Sequence, residues 1–297
     1  MVEFSIVIPN KNRTEKLKRA VNSAIQQSFD DYEIIIVDDS DPSIFNDLER
    51  YFLKFDKIKF IRGDGKGDAY ARKKGYDMSK GRFVALLDSD DEWLPQKLEK
   101  HHNLLLSNES IGVTFDLWIN VDDQSHINQY ENKLEKIPST ILDYQGNIIP
   151  PGMVRNKLIF SNFIHCSSGI LVKEKLDSLG GFMPVNPADW MNWLRVSEKF
   201  YFGIVREYLT IKYISSDALG RGQNQKRWDE ENSNVKKYAL ELVETYGYKG
   251  TFIIDRLVML YLLLGASRNN KILRPIFNVT PQSLKDYVML YLRNKYR

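Results

Sequence analysis

The chain has 297 residues, of which 43% are hydrophobic, enough for one large domain or for one domain with a smaller appendage. Its net charge of +3 is too small to favour a nucleic-acid partner, and its single cysteine, Cys166, excludes an intramolecular disulfide. We find no signal peptide and no apolar run of the ~20 residues that span a membrane. We therefore expect a cytoplasmic protein that at most lies on a membrane surface.

Short apolar runs alternate with amphipathic segments through the first ninety residues. Mostly apolar runs at 4–8, 32–37 and 58–61 predict strands, and the continuous apolar run at 84–87 predicts a buried parallel strand. Helical spacing of apolar residues between these runs predicts helices. This β-α-β-α-β-α-β order predicts an α/β domain with a mostly parallel sheet and helices on both of its faces. A sheet of this kind opens its ligand crevice at the carboxyl ends of the strands.

Polar residues follow three of these predicted strands. They are Pro9-Asn10, Asp38-Asp39 and Asp88-Ser89-Asp90-Asp91. Three carboxylates within four residues repel one another, which favours a counter-cation, and oxygen ligands favour a hard divalent ion. The alternative is a solvated acidic loop in which Asp90 or Asp91 caps a helix. Convergence of the three strand ends on one sheet edge favours a binding site.

Four motifs, in this order and spacing, resemble family-2 glycosyltransferases of the GT-A fold. They are SIVIPNKNR at 5–13, EIIIVDDS at 33–40, ARKKG at 71–75 and LDSDD at 87–91. The resemblance covers about residues 4–215. It implies a Rossmann-like, mixed but mostly parallel sheet, and inverting transfer of a sugar from a nucleotide diphosphate donor to an acceptor hydroxyl.

The resemblance also implies roles for individual residues. Pro9 and Asn10 would lie beside the nucleotide base, Asp39 would bind the base or ribose, and Arg72 would lie near the base or a phosphate. Asp88-Ser89-Asp90 would be the Asp-x-Asp motif, with Asp88 near the ribose or the metal and Asp90 as the main ligand of Mn²⁺ or Mg²⁺. Asp91 would be a bystander or a cap. The alternatives are a turn or cap for Asp39 and a surface helix position for Arg72.

A fifth motif resembles the segment that carries the catalytic acid in this family. It is Ala188-Asp189-Trp190-Met191-Asn192-Trp193-Leu194-Arg195. Inverting transfer needs a base that takes the proton of the acceptor, and Asp189 at a helix start, kept ionised by the helix dipole, would be that base. A plain helix cap is the alternative. Trp190 and Trp193 would form a sugar platform, although helical spacing places at least one of them in the core.

Two departures from the family pattern keep other functions open. Ala188 replaces the usual glutamate, and no histidine follows the predicted strand at 202–214, where the family often completes its metal shell. A nucleotide-sugar-binding protein without transfer activity, or a GT-A-like nucleotidyltransferase, therefore remain alternatives. Arg221 and Arg227 belong to a basic loop that either closes on the diphosphate or is an exposed linker.

The remaining pattern predicts a helix at 93–107, a polar insertion at 120–145 and a strand at 166–172. We expect His101, His102 and Cys166 to be packing or surface residues, since none has a metal-ligand or nucleophile signature around it. We divide the chain into a GT-A domain at 1–225 and a helical region at 226–297. Apolar residues at helical spacing predict three helices there, at about 235–246, 251–266 and 280–292. These helices would pack on the domain, form a homo-oligomer or contact a membrane surface. The acceptor would be a glycan or a lipid-linked glycan.

Overall fold

The computed structural model describes residues 2–122, 137–159, 161–214, 233–235, 237–239, 241–242 and 245. The strands in these residues are β1 (Phe4–Asn10), β2 (Tyr32–Asp38), β3 (Ile58–Arg62), β4 (Phe83–Leu86), β5 (Asp91–Trp93), β6 (Ile111–Asp122), β7 (Ile148–Ile149), β8 (Gly169–Val172) and β9 (Tyr201–Ile214). The helices are α1 (Thr14–Ile25), α2 (Pro42–Phe52), α3 (Asp68–Met78), α4 (Lys97–Ser107), α5 (Ser139–Leu142), α6 (Pro151–Leu158), α7 (Lys173–Asp177) and α8 (Ala188–Val196).

The strands form one mixed sheet in the order β3-β2-β1-β4-β8-β6-β9-β5, with β7 paired to β9. The first four strands of the chain are parallel, as their apolar runs predict. Strand β8 is antiparallel to both β4 and β6, and β6 is parallel to β9. The start of β8 therefore lies at the same edge as the ends of β1, β2 and β4, where the site is built.

Helices cover both faces of this sheet, as the alternating pattern predicts. Side chains of β1 show how the faces are divided, because Phe4, Ile6 and Ile8 join a core with α1, α2 and α4, whereas Val7 joins the opposite core. That opposite core includes residues of α3, α6 and α8. Because both faces are packed, β1, β2 and β4 are buried along their whole length.

Two predicted elements differ in the structure. The helix expected from Trp93 starts only at Lys97, because Asp91–Trp93 pairs with β9 as β5, and Pro95 disfavours helical backbone at the residue before it. The strand expected from Cys166 starts at Gly169, because Cys166–Ser168 forms a 3-10 turn. Cys166 itself is buried and unbridged, as expected.

The first predicted helix of the C-terminal region packs on the domain. Its described residues include Val235, Ala239 and Leu242, which are buried in the same core as α8, and the Tyr238 hydroxyl donates to Glu198. Three predicted features lie outside the described residues. They are residues 123–136 of the polar insertion, the boundary at residue 225, and the two helices predicted after residue 250. Among the described helices, none combines the length and apolarity that a membrane span requires.

Candidate active site

Asp88 directly follows the buried end of β4 and is held by an arginine of α3. An Oδ1 atom of Asp88 accepts a hydrogen bond from Arg72 at 2.6 Å, and Arg72 also donates to Asp68 at 2.6 Å. Burial acts to raise the pKa of Asp88, but the charges of Arg72 and His165 outweigh it and lower that pKa to about 2. Arg72 is buried, so the surface alternative for it is wrong.

Asp90 is paired with an arginine from the loop before α1. Its Oδ2 atom lies 2.7 Å from the Arg13 guanidinium, and its backbone carbonyl accepts a hydrogen bond from Arg19 at 3.2 Å. Burial and the neighbouring charges of Asp91 and Asp88 raise the pKa of Asp90 to about 6, although Arg13 acts in the opposite direction. Ser89, between the two acids, is buried.

The expectation that Asp91 is a bystander is wrong. Asp91 is buried, and its Oδ2 atom accepts hydrogen bonds from His165 at 2.6 Å and from the Ser167 hydroxyl at 2.5 Å. Ser167 also accepts a hydrogen bond from the backbone N–H of Asp88 at 3.0 Å. The hydroxyl of Ser167, in the 3-10 turn Cys166–Ser168, therefore links Asp88 to Asp91 and holds the acidic loop in place.

His165 is a residue of the acidic site that sequence reasoning missed. Asp88, Asp91 and His165 each offer one possible metal-ligand atom, and these three atoms lie within 4.8 Å of one another. Two carboxylate oxygens and one imidazole nitrogen suit Mn²⁺ or Mg²⁺. This histidine lies in the segment before β8. The family pattern instead predicts a metal-shell histidine after β9. Antiparallel pairing of β8 with β4 is the signal that would have found it, because that pairing brings the start of β8 to the end of β4.

The ends of β1 and β2 are locked together at the same edge. Asn10 Nδ2 donates to Asp38 Oδ1 at 3.0 Å, and the Ser40 hydroxyl donates to the same oxygen at 2.5 Å. Burial raises the pKa of Asp38. The side chain of Asn10 therefore faces Asp38, while Pro9 is buried within β1, and a role for these two residues beside the nucleotide stays a prediction.

Asp39 directly follows β2 at the same edge of the sheet. Its Oδ1 atom accepts a hydrogen bond from the backbone N–H of Gly65 at 2.8 Å. A Cβ atom at Gly63 would stand 2.1 Å from this oxygen, so a side chain there would displace the carboxylate of Asp39. Asp39 therefore orders the loop after β3, and its nucleotide-binding role stays a prediction.

Asp189 lies in the first turn of α8, as predicted. Its Oδ2 atom accepts a hydrogen bond from Asn162 Nδ2 at 2.8 Å. Burial raises the pKa of Asp189 while the charge of Arg72 acts to lower it, so the helix dipole does not dominate as we expected. Asn186, three residues earlier, donates to Asp68 at 3.2 Å, and Asp68 also accepts a hydrogen bond from Arg72, the partner of Asp88.

The two tryptophans of α8 have different environments. Trp193 is fully buried and packs under β8, where a Cβ atom at Gly169 would lie 2.5 Å from its ring, so its expected role in a sugar platform is wrong. Trp190 is partly exposed and donates its ring N–H to the Leu158 carbonyl at 2.7 Å. Arg221 and Arg227 lie outside the described residues.

A mixed α/β sheet with carboxylates at its strand ends and a further carboxylate on a facing helix defines a GT-A-type transferase. A profile of the family described as glycosyl transferase family 2 matches residues 5–170, more than half of the chain. The chain belongs to this family of glycosyltransferases.

Named relatives agree with this assignment. A UDP-Glc:alpha-D-GlcNAc-diphosphoundecaprenol beta-1,3-glucosyltransferase of Escherichia coli is 25% identical over 263 residues, 88% of this chain and 90% of that protein. An uncharacterised glycosyltransferase of Nostoc is 28% identical over 199 residues, 65% of this chain and 56% of that protein.

Two solved structures show the same fold. Residues 1–349 of S. aureus TarS in complex with UDP-GlcNAc have a TM-score of 0.64 at 13% identity, over 98% of this chain and 85% of that chain. A mannosyltransferase of Pyrobaculum calidifontis in complex with GDP-Man and Mn²⁺ has a TM-score of 0.58 at 12% identity, over 98% of this chain and 80% of that chain.

Proposed function

We propose that this chain is an inverting glycosyltransferase that moves a sugar from a nucleoside diphosphate to an acceptor hydroxyl with the help of Mn²⁺ or Mg²⁺. One observation carries the proposal: the segment leading into α8 is tied to the acidic loop. Asn186, three residues before Asp189, donates to Asp68 at 3.2 Å, and Asp68 shares the Arg72 guanidinium with Asp88. A base beside the diphosphate-binding edge is the arrangement that a direct displacement at a donor sugar requires.

The donor would lie along the carboxyl edge of the sheet. Asp39 would face the base or ribose, with Pro9 and Asn10 forming the floor, and Arg72 would neutralise charge near the phosphates. The sugar of the donor would point toward Asp189. UDP-sugars are the first donors to test, because the Escherichia coli relative is named for UDP-Glc and the TarS structure holds UDP-GlcNAc.

A divalent ion would bind at the acidic loop. Two ligand sets fit: Asp88 with Asp90, as the Asp-x-Asp resemblance implies, and Asp88 with Asp91 and His165, as the 4.8 Å grouping indicates. We favour the first set, because Asp91 is almost fully buried and already accepts two hydrogen bonds. When bound, the ion would stabilise the negative charge that grows on the leaving diphosphate.

Asp189 would take the proton from the acceptor hydroxyl. Its raised pKa makes it a stronger base than an ordinary aspartate, while Asn162 fixes the direction in which its carboxylate points. Partly exposed Trp190, one residue further along α8, remains available for contact with the acceptor. Because Asp189 acts as a base only when ionised, we expect transfer to fall as the pH is lowered.

Lipid-linked glycans are the acceptors that we propose to test first. The Escherichia coli relative, aligned over 88% of this chain, is named for a diphosphoundecaprenol-linked acceptor. Such an acceptor would bring the protein to the cytoplasmic face of a membrane. The region at 226–297 would then supply packing through its first helix, and oligomer or membrane-surface contact through the residues that follow.

A thermal-shift screen followed by a transfer assay tests the proposal. UDP-, GDP- and dTDP-sugars are added with Mn²⁺ or with EDTA, and a true donor raises Tm further as its concentration increases above its Kd, because it binds the native state and not the unfolded chain. Donors that raise Tm are then incubated with lipid-linked and free glycan acceptors, and product is followed by mass spectrometry. Absence of any Tm shift across the donors would contradict the proposal.

A nucleotide-sugar-binding protein without transfer activity is the second candidate. One observation favours it: the position of the family glutamate is occupied by Ala188, which is buried and offers no carboxylate. A donor that raises Tm, combined with neither transfer nor release of nucleoside diphosphate over a broad acceptor array, would favour this second candidate. No observation favours the nucleotidyltransferase alternative over the family assignment.

A further inference from the structure

Each of the three acids after β4 is paired with its own positively charged or hydrogen-bonding partner, and each partner comes from a different element. The pairs are Asp88 with Arg72 at 2.6 Å, Asp90 with Arg13 at 2.7 Å, and Asp91 with His165 at 2.6 Å. These pairs balance the mutual repulsion of the acids in the chain alone.

The pairs differ in how firmly their partners are held. Arg72 is held between Asp88 and Asp68, a residue of its own helix. Asp91, the partner of His165, accepts a second hydrogen bond from the Ser167 hydroxyl. Within the described part of the chain, the ion pair with Asp90 is the one that holds the guanidinium of Arg13, whose side chain is 20% exposed.

Arg13 is also placed so that it can move. It lies in the loop between β1 and α1, directly before the first residue of the helix, Thr14. Rotation about its side-chain bonds moves the guanidinium by several ångströms while the backbone stays in place. A planar guanidinium matches phosphate oxygens in two parallel hydrogen bonds, so a diphosphate at this edge offers it a second partner.

We propose that Arg13 is an exchangeable counter-ion. It neutralises Asp90 in the metal-free chain, yields that carboxylate to the divalent ion, and then binds the diphosphate of the donor. This proposal rests on the proposed function, because it takes the acidic loop to be the site of a metal-bridged diphosphate.

The exchange predicts that loss of Arg13 changes the metal affinity in the direction opposite to loss of a residue that supports the site. A residue that supports a metal site weakens metal binding when it is removed, whereas a competing cation strengthens it. Removal of Arg13 should therefore tighten binding of the metal alone, because Asp90 is released and a repelling positive charge is lost. The same removal should weaken binding of a diphosphate in the absence of metal, because Asp90 is then left without its cation and repels the diphosphate, which also loses Arg13 as a competing partner.

Mn²⁺ titration of the full chain without donor tests the first consequence. Affinity is measured by calorimetry and by electron paramagnetic resonance of free Mn²⁺, for the unchanged chain and for Arg13→Gln, Lys11→Gln and Asp90→Asn. Lys11 is an exposed residue of the same loop, so Lys11→Gln matches the change in net charge. We expect about three- to tenfold tighter binding for Arg13→Gln, less than a twofold change for Lys11→Gln, and at least about tenfold weaker binding for Asp90→Asn.

Titration with UDP and with GDP in EDTA tests the second consequence. We expect Arg13→Gln to weaken both nucleotides by about three- to tenfold, because the lost contact is to the diphosphate and not to the base. Lys11→Gln should leave both affinities within about twofold. Circular dichroism and a urea unfolding curve confirm that each variant is folded before it is titrated.

The outcomes separate the two proposals. If Asp90→Asn weakens Mn²⁺ binding but Arg13→Gln matches Lys11→Gln or also weakens it, the exchange is wrong and the metal site stands. If Asp90→Asn binds Mn²⁺ as tightly as the unchanged chain, the metal ligands assigned under the proposed function are wrong, and the exchange is wrong with them. Tighter Mn²⁺ binding together with weaker metal-free UDP binding in Arg13→Gln supports the exchange.

Discussion

Two clusters of charged side chains lie on opposite sides of the turn Cys166–Ser168. One is the acid cluster, formed by Asp88, Asp90 and Asp91, which the side chain of Ser167 contacts. The other, the core network, is formed by Lys97, His101, Asp116 and Thr210. It reaches the carbonyl oxygens of the same turn, since Lys97 donates to Ser168 at 3.2 Å.

The core network is sealed from solvent and satisfied internally. Lys97 and Asp116 are both fully buried and form an ion pair, while Thr210 donates to the second oxygen of Asp116 at 2.9 Å. His101 bonds to Thr114 at 2.7 Å and lies 3.2 Å from Asp116. Burial and the nearby charge of Lys97 lower the pKa of His101 to about 4.

The acid cluster is different, because two of its carboxylates remain partly accessible to solvent. Asp88 and Asp90 remain 23% and 14% exposed, and their partners are single arginines from separate elements. The difference teaches that buried charge alone does not mark a functional site. A cluster whose members satisfy one another supports structure, whereas one whose members can exchange partners with solvent and ligand is suited to chemistry.

Replacement of the proposed base gives the largest expected effect. Asp189→Asn keeps the shape of the side chain but cannot accept a proton, so we expect transfer to fall by about 10²- to 10⁴-fold. Donor affinity measured by calorimetry should stay within a few fold. Asp47→Asn, at an exposed site on α2, is the control and should keep full activity. Full turnover by Asp189→Asn would exclude Asp189 as the base.

Disruption of the core network should change stability instead. Lys97→Met leaves the buried carboxylate of Asp116 without its cation, so we expect a loss of about 3–5 kcal/mol in the free energy of unfolding, measured with urea. The double variant Lys97→Met with Asp116→Asn removes both charges and should be less destabilised than the single variant. An unchanged midpoint for Lys97→Met would show that this network does not support the fold.

Protonation of His101 should make stability depend on pH. Because its pKa of about 4 in the folded chain lies below its ordinary value of 6.5, the stability it contributes is complete above pH 6.5 and is lost as the pH falls toward 4. The expected loss is on the order of 3 kcal/mol. Unfolding curves between pH 7 and 4 measure it. His101→Gln should flatten this decline, whereas His102→Gln should retain it, and a decline that persists in His101→Gln would contradict the assignment.

The pair at the acid cluster should contribute least to stability. Arg13→Gln removes a partly exposed ion pair, so we expect a loss below about 1 kcal/mol in the free energy of unfolding. The same urea measurement, made beside Lys97→Met, compares the two clusters directly. A loss from Arg13→Gln as large as that from Lys97→Met would mean that both clusters are structural.

Much of the fold could be read from local patterns. The run at 84–87 is continuous and apolar because both faces of the sheet are covered, and this property of the strand is visible in the sequence. The placements of Asp88 at a strand end and Asp189 in a first helical turn are also local, and both were predicted. The errors at Trp93 and Cys166 arose where pairing with a distant strand or contact with a distant acid decides the backbone conformation.

Partners distant in the sequence could not be predicted in the same way. His165 stands 74 residues from Asp91, and its contact depends on the antiparallel insertion of β8 beside β4. Helical spacing placed at least one of Trp190 and Trp193 in the core, yet only the packing of α8 against β8 decided that it is Trp193. Long-range register thus determines which side chains of a correctly predicted element face the site.

The sequence by itself determined the class of fold, the edge of the sheet that carries the site, and the acids that line it. These features follow from hydrophobic periodicity and from residues adjacent in the chain. Only the tertiary structure decided which partner each acid takes, because Arg72, Arg13 and His165 reach the cluster from three separate elements. The reason is physical: charges act through space, and the fold sets the distances between them.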